Sequence, residues 1–510
     1  MMKALKLTGL IALAALVIVL IVAFLLFPTQ KPEKILPSKE ARAVWLHRFE
    51  YTRYTVTHDQ DSIKQFISDA INNAADANFN MILFQVRGNG DAYYTPGLEP
   101  WGELLTGEVG KDPGWDPLQF AIDKAHARGM ELHAWMNTFP AWRGKKLPPK
   151  TDPEAAILKH PEWLVADSAG NPMPMTDHYV SFSPGIPAVQ DYIIKVATDI
   201  ASRYDVDGIH FDYIRYPEQA PDLGYSHDAI SVKRFNSNQG NPYDLNWADW
   251  QREQLNHFVA KMYNALKDVK PYLKMSTAVI GSYNVGGWNA YSEVYQDARR
   301  WTEIGKVDFL APMTYFSYHP YLERVKEWKD NYSIERYVFP GIGSYRFNGS
   351  VQGLSWDETG REIQVLRDLQ MPGMVFFDAS SLNEHWKELA KKEFRYPANI
   401  PPMPWIDAVK PNTPDSVQVS EKDGTITLSW GTPDVASDGD LVWRYDIYAS
   451  PNNSIDSTNG KWLQAIVPAG INSYQFVKGS RVKSDWNFAV STLDRARNES
   501  PLSHPVKITE

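Results

Sequence analysis

The chain has 510 residues, 43% of them apolar and 22% charged, which is material for a large core, and its net charge of -9 offers no field to draw in a polyanion such as nucleic acid. The absence of cysteine excludes disulfides, thiolate metal sites, a cysteine nucleophile and an acylated lipoprotein cysteine. Eighteen Trp and 26 Tyr suit stacking against sugar rings, although large cores also use aromatic residues heavily.

In chain order, Lys3 and Lys6 precede an uncharged stretch from Leu7 to Phe27 that is long enough to cross a bilayer. It ends bulky and runs into Pro28 without a small-residue cleavage site, so residues 1–27 read as an uncleaved signal anchor with the body of the protein outside; a cleaved signal peptide is the alternative. Residues 28–40, rich in Pro, Lys and Glu, read as a solvated tether.

From residue 41 to 396 short apolar segments alternate with stretches of helical period. The predicted strands are Ala43–Phe49, Met81–Val86, Glu131–Asn137, Asp207–Ile214, Lys274–Ile280, Val307–Tyr315, Arg336–Ile342 and Gly373–Asp378. The predicted helices include Ser62–Ala77, Pro117–Arg128, Ala188–Arg203, Trp247–Lys267 and Tyr291–Ile304. Eight strand-helix repeats predict an α/β fold, a (β/α)8 TIM barrel.

Parity sharpens this. Ile209 and Phe211 face the helices while Gly208, His210 and Asp212 face the barrel axis; Leu132, Ala134 and Met136 likewise oppose His133, Trp135 and Asn137. Polar residues at strand C-termini point to a site at the catalytic end of the barrel. Asp212 is the first candidate for a catalytic carboxylate, since glycosidic cleavage passes through an oxocarbenium-like state that an ionised carboxylate assists as nucleophile or base. Asp207, before Gly208 at the stability end, reads as a turn or cap residue.

In Phe84–Tyr94 a strand breaks into a Gly-rich loop that is not a phosphate fingerprint, because no helix follows directly. Arg87 is placed to hold a hydroxyl or carboxylate and Asp91 to be the second catalytic carboxyl, against the alternative of an Arg87–Asp91 ion pair. His133, Trp135, Asn137, His210, Arg215, Tyr315 and Asp378 are candidate substrate contacts, with Asp378 the reserve for the second carboxyl or a helix cap before Ser380. His47, His133 and His210 share inward parity, but ligand spacing such as His-x-His is missing, so neither metal nor cofactor is expected.

Residues 397–414 form a Pro-rich linker, a boundary that few contacts are expected to cross. Residues 415–510 carry alternating strands at Ile426, Leu428 and Trp430, at Tyr445 and Ile447, and at Trp486, Phe488 and Val490, which predicts a small all-β immunoglobulin-like sandwich. Trp430, Tyr445-Asp446-Ile447-Tyr448 and Trp486-Asn487-Phe488-Ala489-Val490 resemble the pattern of a fibronectin type III domain, with Trp486 where that family commonly has Tyr. Such a resemblance implies a spacer or adhesion module.

The barrel segment resembles a bacterial family, glycosyl hydrolase-like family 10. The motifs that carry the resemblance are Arg42-Ala43-Val44-Trp45, Phe84-Gln85-Val86-Arg87 through Asp91-Ala92-Tyr93-Tyr94, Leu132-His133-Ala134-Trp135-Met136-Asn137 and Asp207 through Pro217. The resemblance implies a TIM barrel at the cell envelope acting on glycans, with peptide-stripped peptidoglycan strands as a substrate. Many members have a lipoprotein cysteine, absent here, and some have a second Asp where this chain has Tyr213. The leading reading is a membrane-anchored extracytoplasmic glycoside hydrolase whose partners are a polysaccharide or peptidoglycan glycan and the membrane. Its rival is a non-catalytic glycan-binding scaffold of the cell envelope. A polysaccharide deacetylase would require a metal cluster that these spacings do not assemble.

Overall fold

The computed structural model describes residues 35–53, 58–347, 354–476 and 481–508. The stretch read as a membrane anchor lies outside them, and among the described residues no helix is long and apolar enough to cross a membrane.

Eight parallel strands follow one another as β1 (Ala41–Leu46), β2 (Met81–Arg87), β3 (Glu131–Asn137), β4 (Gly208–Asp212), β5 (Lys274–Ile280), β6 (Phe309–Met313), β7, in two pieces (Tyr337–Val338 and Gly341–Ile342), and β8 (Gly373–Phe376). Each pairs with its sequence neighbour, and β8 returns to β1. Closure runs through β7, whose first piece pairs with β6 and whose second pairs with β8. Between these strands lie α1 (Arg48–Arg53), α2 (Gln60–Asp76), α3 (Pro117–Ala127), α4 (Pro187–Arg203), α5 (Trp247–Val269) and further helices. This is the predicted (β/α)8 barrel. Helix starts obey local chemistry: Asp59, Asp116 and Asn246 accept backbone N–H bonds at the N-termini of α2, α3 and α5, and Pro117 opens α3. The helix predicted over Tyr291–Ile304 is instead two pieces, Ala290–Glu293 and Ala298–Glu303, because Tyr295 takes a left-handed φ of 56° between them.

Strand parity separates two cores. Val44, Leu132, Ala134, Met136, Ile209 and Phe211 pack outward in the layer between strands and helices. Ala43, Trp45, Leu83, Trp135, Phe309, Phe339 and Val375 fill the axis. Register then sets height: His133 pairs with Gly208, Trp135 with His210 and Asn137 with Asp212. Gly208 leaves room for the His133 ring, since a Cβ there would stand 2.4 Å from His133 Nδ1.

The C-terminal segment folds as two three-stranded antiparallel sheets. One holds β9 (Gln418–Lys422), β10 (Thr425–Ser429) and β13 (Ser473–Phe476); the other holds β12 (Leu463–Pro468), β11 (Arg444–Ser450) and β14 (Asn487–Leu493). Leu428, Trp430, Tyr445, Ile447, Phe488 and Val490 make its core, as their alternation predicts.

Contrary to the expectation of a sparsely crossed boundary, Pro37–Glu510 is one compact unit. Arg497 of the sandwich donates to Glu131 Oε1 at 2.7 Å on the first residue of β3, Trp405 of the linker donates to Asp308 at 2.9 Å, and Tyr337 donates to the Pro402 carbonyl at 2.7 Å. The end of the segment read as a solvated tether is also built in: Glu40 is buried and bonds Arg42 and Arg367, and Ser38 N donates to the Thr458 carbonyl. Composition marks a linker, but it cannot report that buried acids at the barrel base need partners from beyond it.

Candidate active site

The C-terminal ends of the strands open into a cleft of about 790 Å³. Its floor is made by Trp135 and Asn137 from β3, Asp212 from β4, and Tyr315 and Phe377 just beyond β6 and β8. His47, Arg48 and Phe49 after β1 form one wall with Arg143; Tyr179, Tyr213 and Arg215 form another. Pro140–Arg143 and Tyr179–Ser181 pair antiparallel as part of the long insertion after β3 that brings Arg143 and Tyr179 to the rim.

Asp212 is 7% exposed. The chain leaves β4 sharply, because Tyr213 adopts a left-handed φ of 57°, a conformation that costs an L-residue roughly 1–2 kcal/mol and is retained where function or packing demands it. That turn lets Tyr213 N donate to Asp212 Oδ1 at 2.6 Å, sets the Tyr213 ring against Tyr179, and lays the Arg215 guanidinium 4.4 Å from the Tyr213 ring centre. Burial pushes the Asp212 carboxyl up, and the charge of Arg215 and the Tyr213 N–H offset this only in part. Among the described residues no ion pair holds Asp212.

Behind the His47 wall stands a second acidic group. Asp378 Oδ2 lies 3.2 Å from His47 Nε2, while its Oδ1 accepts from Ser381 N at 3.0 Å, so this residue both caps a turn and holds the histidine. Glu50 accepts from His47 N at 2.8 Å and from Ser380 N at 2.6 Å. Burial pushes Glu50 up to about 7, with the His47 charge opposing and the Asp378 charge adding to the rise. His47, Glu50 and Asp378 each offer a ligand atom within 4.8 Å of the others, an arrangement no sequence spacing announced. Both Glu50 oxygens already accept backbone N–H bonds, which makes the trio a hydrogen-bonded cluster before it is a cation site.

Four of the residues proposed from sequence do other work. Arg87 is fully buried and forked onto Glu99, at 2.8 and 3.0 Å from Nε and 2.7 Å from Nη2; it faces away from the cleft and its partner is not Asp91. Asp91 accepts from Gly88 N at 3.0 Å and Asn89 N at 2.7 Å, so its carboxylate organises the loop and does not line the cleft. His133 is buried low in the barrel against Glu131 at 3.0 Å. His210, one layer higher, accepts from Trp45 Nε1 at 3.0 Å and contacts Ser276 Oγ at 2.8 Å; burial, with His133 nearby, holds it neutral, well below its ordinary range. Parity placed these histidines on the axis but not at its top. Trp135, Asn137, Asp212, Arg215 and Tyr315 are brought together in the cleft, and Asp378 reaches it through His47. Arg48, Phe49, Arg143, Tyr179, Tyr213 and Glu218 were missed; the run His47-Arg48-Phe49-Glu50 directly after a strand was the signal for the first two, and nothing local marks Arg143.

Fold and cleft together define a (β/α)8 barrel protein with a carboxyl-bearing, aromatic-lined site at the C-terminal end of its strands. Residues 40–352 match the family Glycosyl hydrolase-like 10, and the chain belongs to that family. It is 28% identical over 426 residues to glycosyl hydrolase YngK of Bacillus subtilis, covering 76% of this chain and 79% of that protein. It is 30% identical over 313 residues to glycosyl hydrolase DigH of Escherichia coli K12, covering 56% and 66%. Among solved structures, α-L-fucosidase isoenzyme 2 from Paenibacillus thiaminolyticus matches with a TM-score of 0.47 at 16% identity, over 70% of this chain and 49% of that one, about half its length. The function is of the glycoside hydrolase type.

Proposed function

We propose that this protein hydrolyses glycosidic bonds in an envelope or extracellular glycan, with Asp212 as the proton donor to the leaving oxygen. The observation that carries this is the state of Asp212: a carboxyl buried at the cleft floor, pushed up by its surroundings and bound by no ion pair among the described residues, has the character of a general acid. Asp378, which reaches the same cleft through His47, is the second carboxyl, acting as base on water by way of that histidine. Trp135, Tyr315 and Phe377 supply apolar faces for sugar rings, and Asn137 and Arg215 supply hydrogen bonds. Lys3, Lys6 and the apolar run Leu7–Phe27 support anchoring in the membrane with the barrel outside. The strand orders β9-β10-β13 and β12-β11-β14 are compatible with a fibronectin type III-like spacer. Incubating the purified full chain with envelope glycans, followed by mass analysis of released products, tests the activity. An Asp212→Asn variant that kept more than a few per cent of turnover would remove Asp212 from the mechanism, and glycan binding without turnover by the wild type would favour the scaffold reading.

A further inference from the structure

Most buried arginines of the barrel have an acidic partner. Arg42, Arg87 and Arg346 are buried and Arg367 is half-buried, and each stands within 3.0 Å of a glutamate. Arg48 is just as buried, at 5% exposed, yet the hydrogen-bond partners of its guanidinium are neutral: Nη1 donates to Gln85 Oε1 at 3.0 Å, the Tyr93 hydroxyl is a further partner, and Nη2 lies 2.8 Å from the Asn89 side-chain amide, whose oxygen faces it in the orientation that satisfies both groups. Arg143, exposed at the rim, uses Nε on the Asp177 backbone carbonyl at 3.0 Å. Neither has a carboxylate at ion-pair distance among the described residues. Arg444 also lacks a close acid, but it lies in the field of Asp207, Glu131 and Asp446. A buried guanidinium without a counter-ion is costly, and the cost falls when an anion is delivered to it.

The surroundings of Arg48 are built to hold it there. Its guanidinium carbon lies 4.3 Å from the centre of the Phe49 ring, and that of Arg143 lies 5.3 Å from the same ring, so one aromatic residue lining the cleft collects both cations. Gly88 makes the space: a Cβ at that position would stand 2.3 Å from Arg48 Cζ. Asp91 shapes the same loop by accepting from Gly88 N and Asn89 N. The Gly-rich loop, which binds no phosphate fingerprint, thus serves as a cradle for a cation. Arg48 and Arg143 thus give one wall of the cleft two cations, in a chain of net charge -9.

We infer that Arg48 and Arg143, gathered on Phe49, form a subsite for a carboxylate carried by a sugar of the bound glycan. A carboxylate matches the planar fork of a guanidinium and supplies the counter-charge that Arg48 lacks. The inference rests on the glycan-cleft reading but not on turnover. Two kinds of sugar bring such a group, a uronic acid with its carboxylate on the ring and a muramic acid with a lactyl ether carboxylate.

The test is calorimetric binding by the full chain of four probes: a tetrasaccharide alternating N-acetylglucosamine with N-acetylmuramic acid, a uronic acid tetrasaccharide, and the carboxyl-reduced form of each. At least one acid is expected to bind about 10-fold or more tightly than its reduced form, and which acid does so identifies the source of the carboxylate. Arg143→Ala, at an exposed position, is expected to keep the fold and to bring acid and reduced forms within about threefold of each other; Arg48→Gln, checked for folding by its melting curve, should do the same. Equal affinity for acid and reduced forms in the wild type, failure of all four to bind, or a full preference surviving in Arg143→Ala would overturn the subsite. Preferential binding without product release would leave the subsite standing and remove the hydrolase reading, whereas equal cleavage of acid and reduced forms would do the reverse.

Discussion

The two ends of the barrel treat charge in opposite ways. At the N-terminal end Glu131 bonds Lys274 at 2.8 Å and Arg497 at 2.7 Å, Asp308 bonds Lys267 and Trp405 at 2.9 Å, and Asp207 meets His126 at 2.9 Å. Burial alone would raise the Glu131 carboxyl; Arg497, Lys274 and His133 overcome it and hold it well below the usual carboxylate range. At the C-terminal end Asp212, Arg48 and Arg143 have no ion-pair partner among the described residues. Satisfied charge at one end stabilises the fold, and unsatisfied charge at the other is what a ligand or transition state can use.

Four substitutions and one truncation test this contrast. The largest effect is expected for Asp212→Asn: turnover falls by at least about 10³-fold, roughly 4 kcal/mol of transition-state stabilisation. Its melting temperature at pH 8 is expected to equal or exceed that of the wild type. A carboxyl raised by folding stabilises the native state below its unfolded pKa and loses that contribution as pH rises through the folded value. A stability loss at pH 8 would show that Asp212 belongs to the satisfied group.

At the opposite end, Arg497→Ala strips a buried acid of one of its two cations. Denaturant titration is expected to show a loss of about 3 kcal/mol, with turnover per folded molecule unchanged. Deleting residues 415–510 should cost more still, since it removes Arg497 and the rest of the surface that covers the barrel base; a fully stable truncated barrel would refute the shared base.

Trp135→Ala sits on the border between the two regimes. The indole is 5% exposed and packs in the axial core while lining the cleft, so both stability and glycan affinity should fall, stability by about 3 kcal/mol. Loss of affinity at constant melting temperature would make it a pure binding residue.

The smallest effect is that of Glu50→Gln. Folding raises Glu50 from 4.5 to about 7, so its protonated form stabilises the native state fully below about pH 4.5, and that contribution disappears as pH rises through about 7. The variant is expected to flatten the wild-type fall in melting temperature between pH 5 and pH 8. An unchanged profile would show that folding does not raise Glu50.

What the sequence alone determined is what local periodicity can carry. The alternation in Glu131–Asn137 and Gly208–Asp212 set which side chains meet the axis, the run of eight strands and intervening helices set the barrel, and Asp212 fell at the end of its strand. Tertiary structure decided who partners whom. Arg87 found Glu99 rather than Asp91, Glu131 found an arginine 366 residues away, and Asp378 found His47 across 331 residues of sequence. The register of β3 against β4 put His133 lowest, His210 level with Trp135, and Asp212 level with Asn137 at the top. The physical reason is that side-chain parity repeats every two residues along one strand, whereas satisfying a buried charge requires a complementary group from whichever distant segment the closed barrel brings within hydrogen-bonding reach.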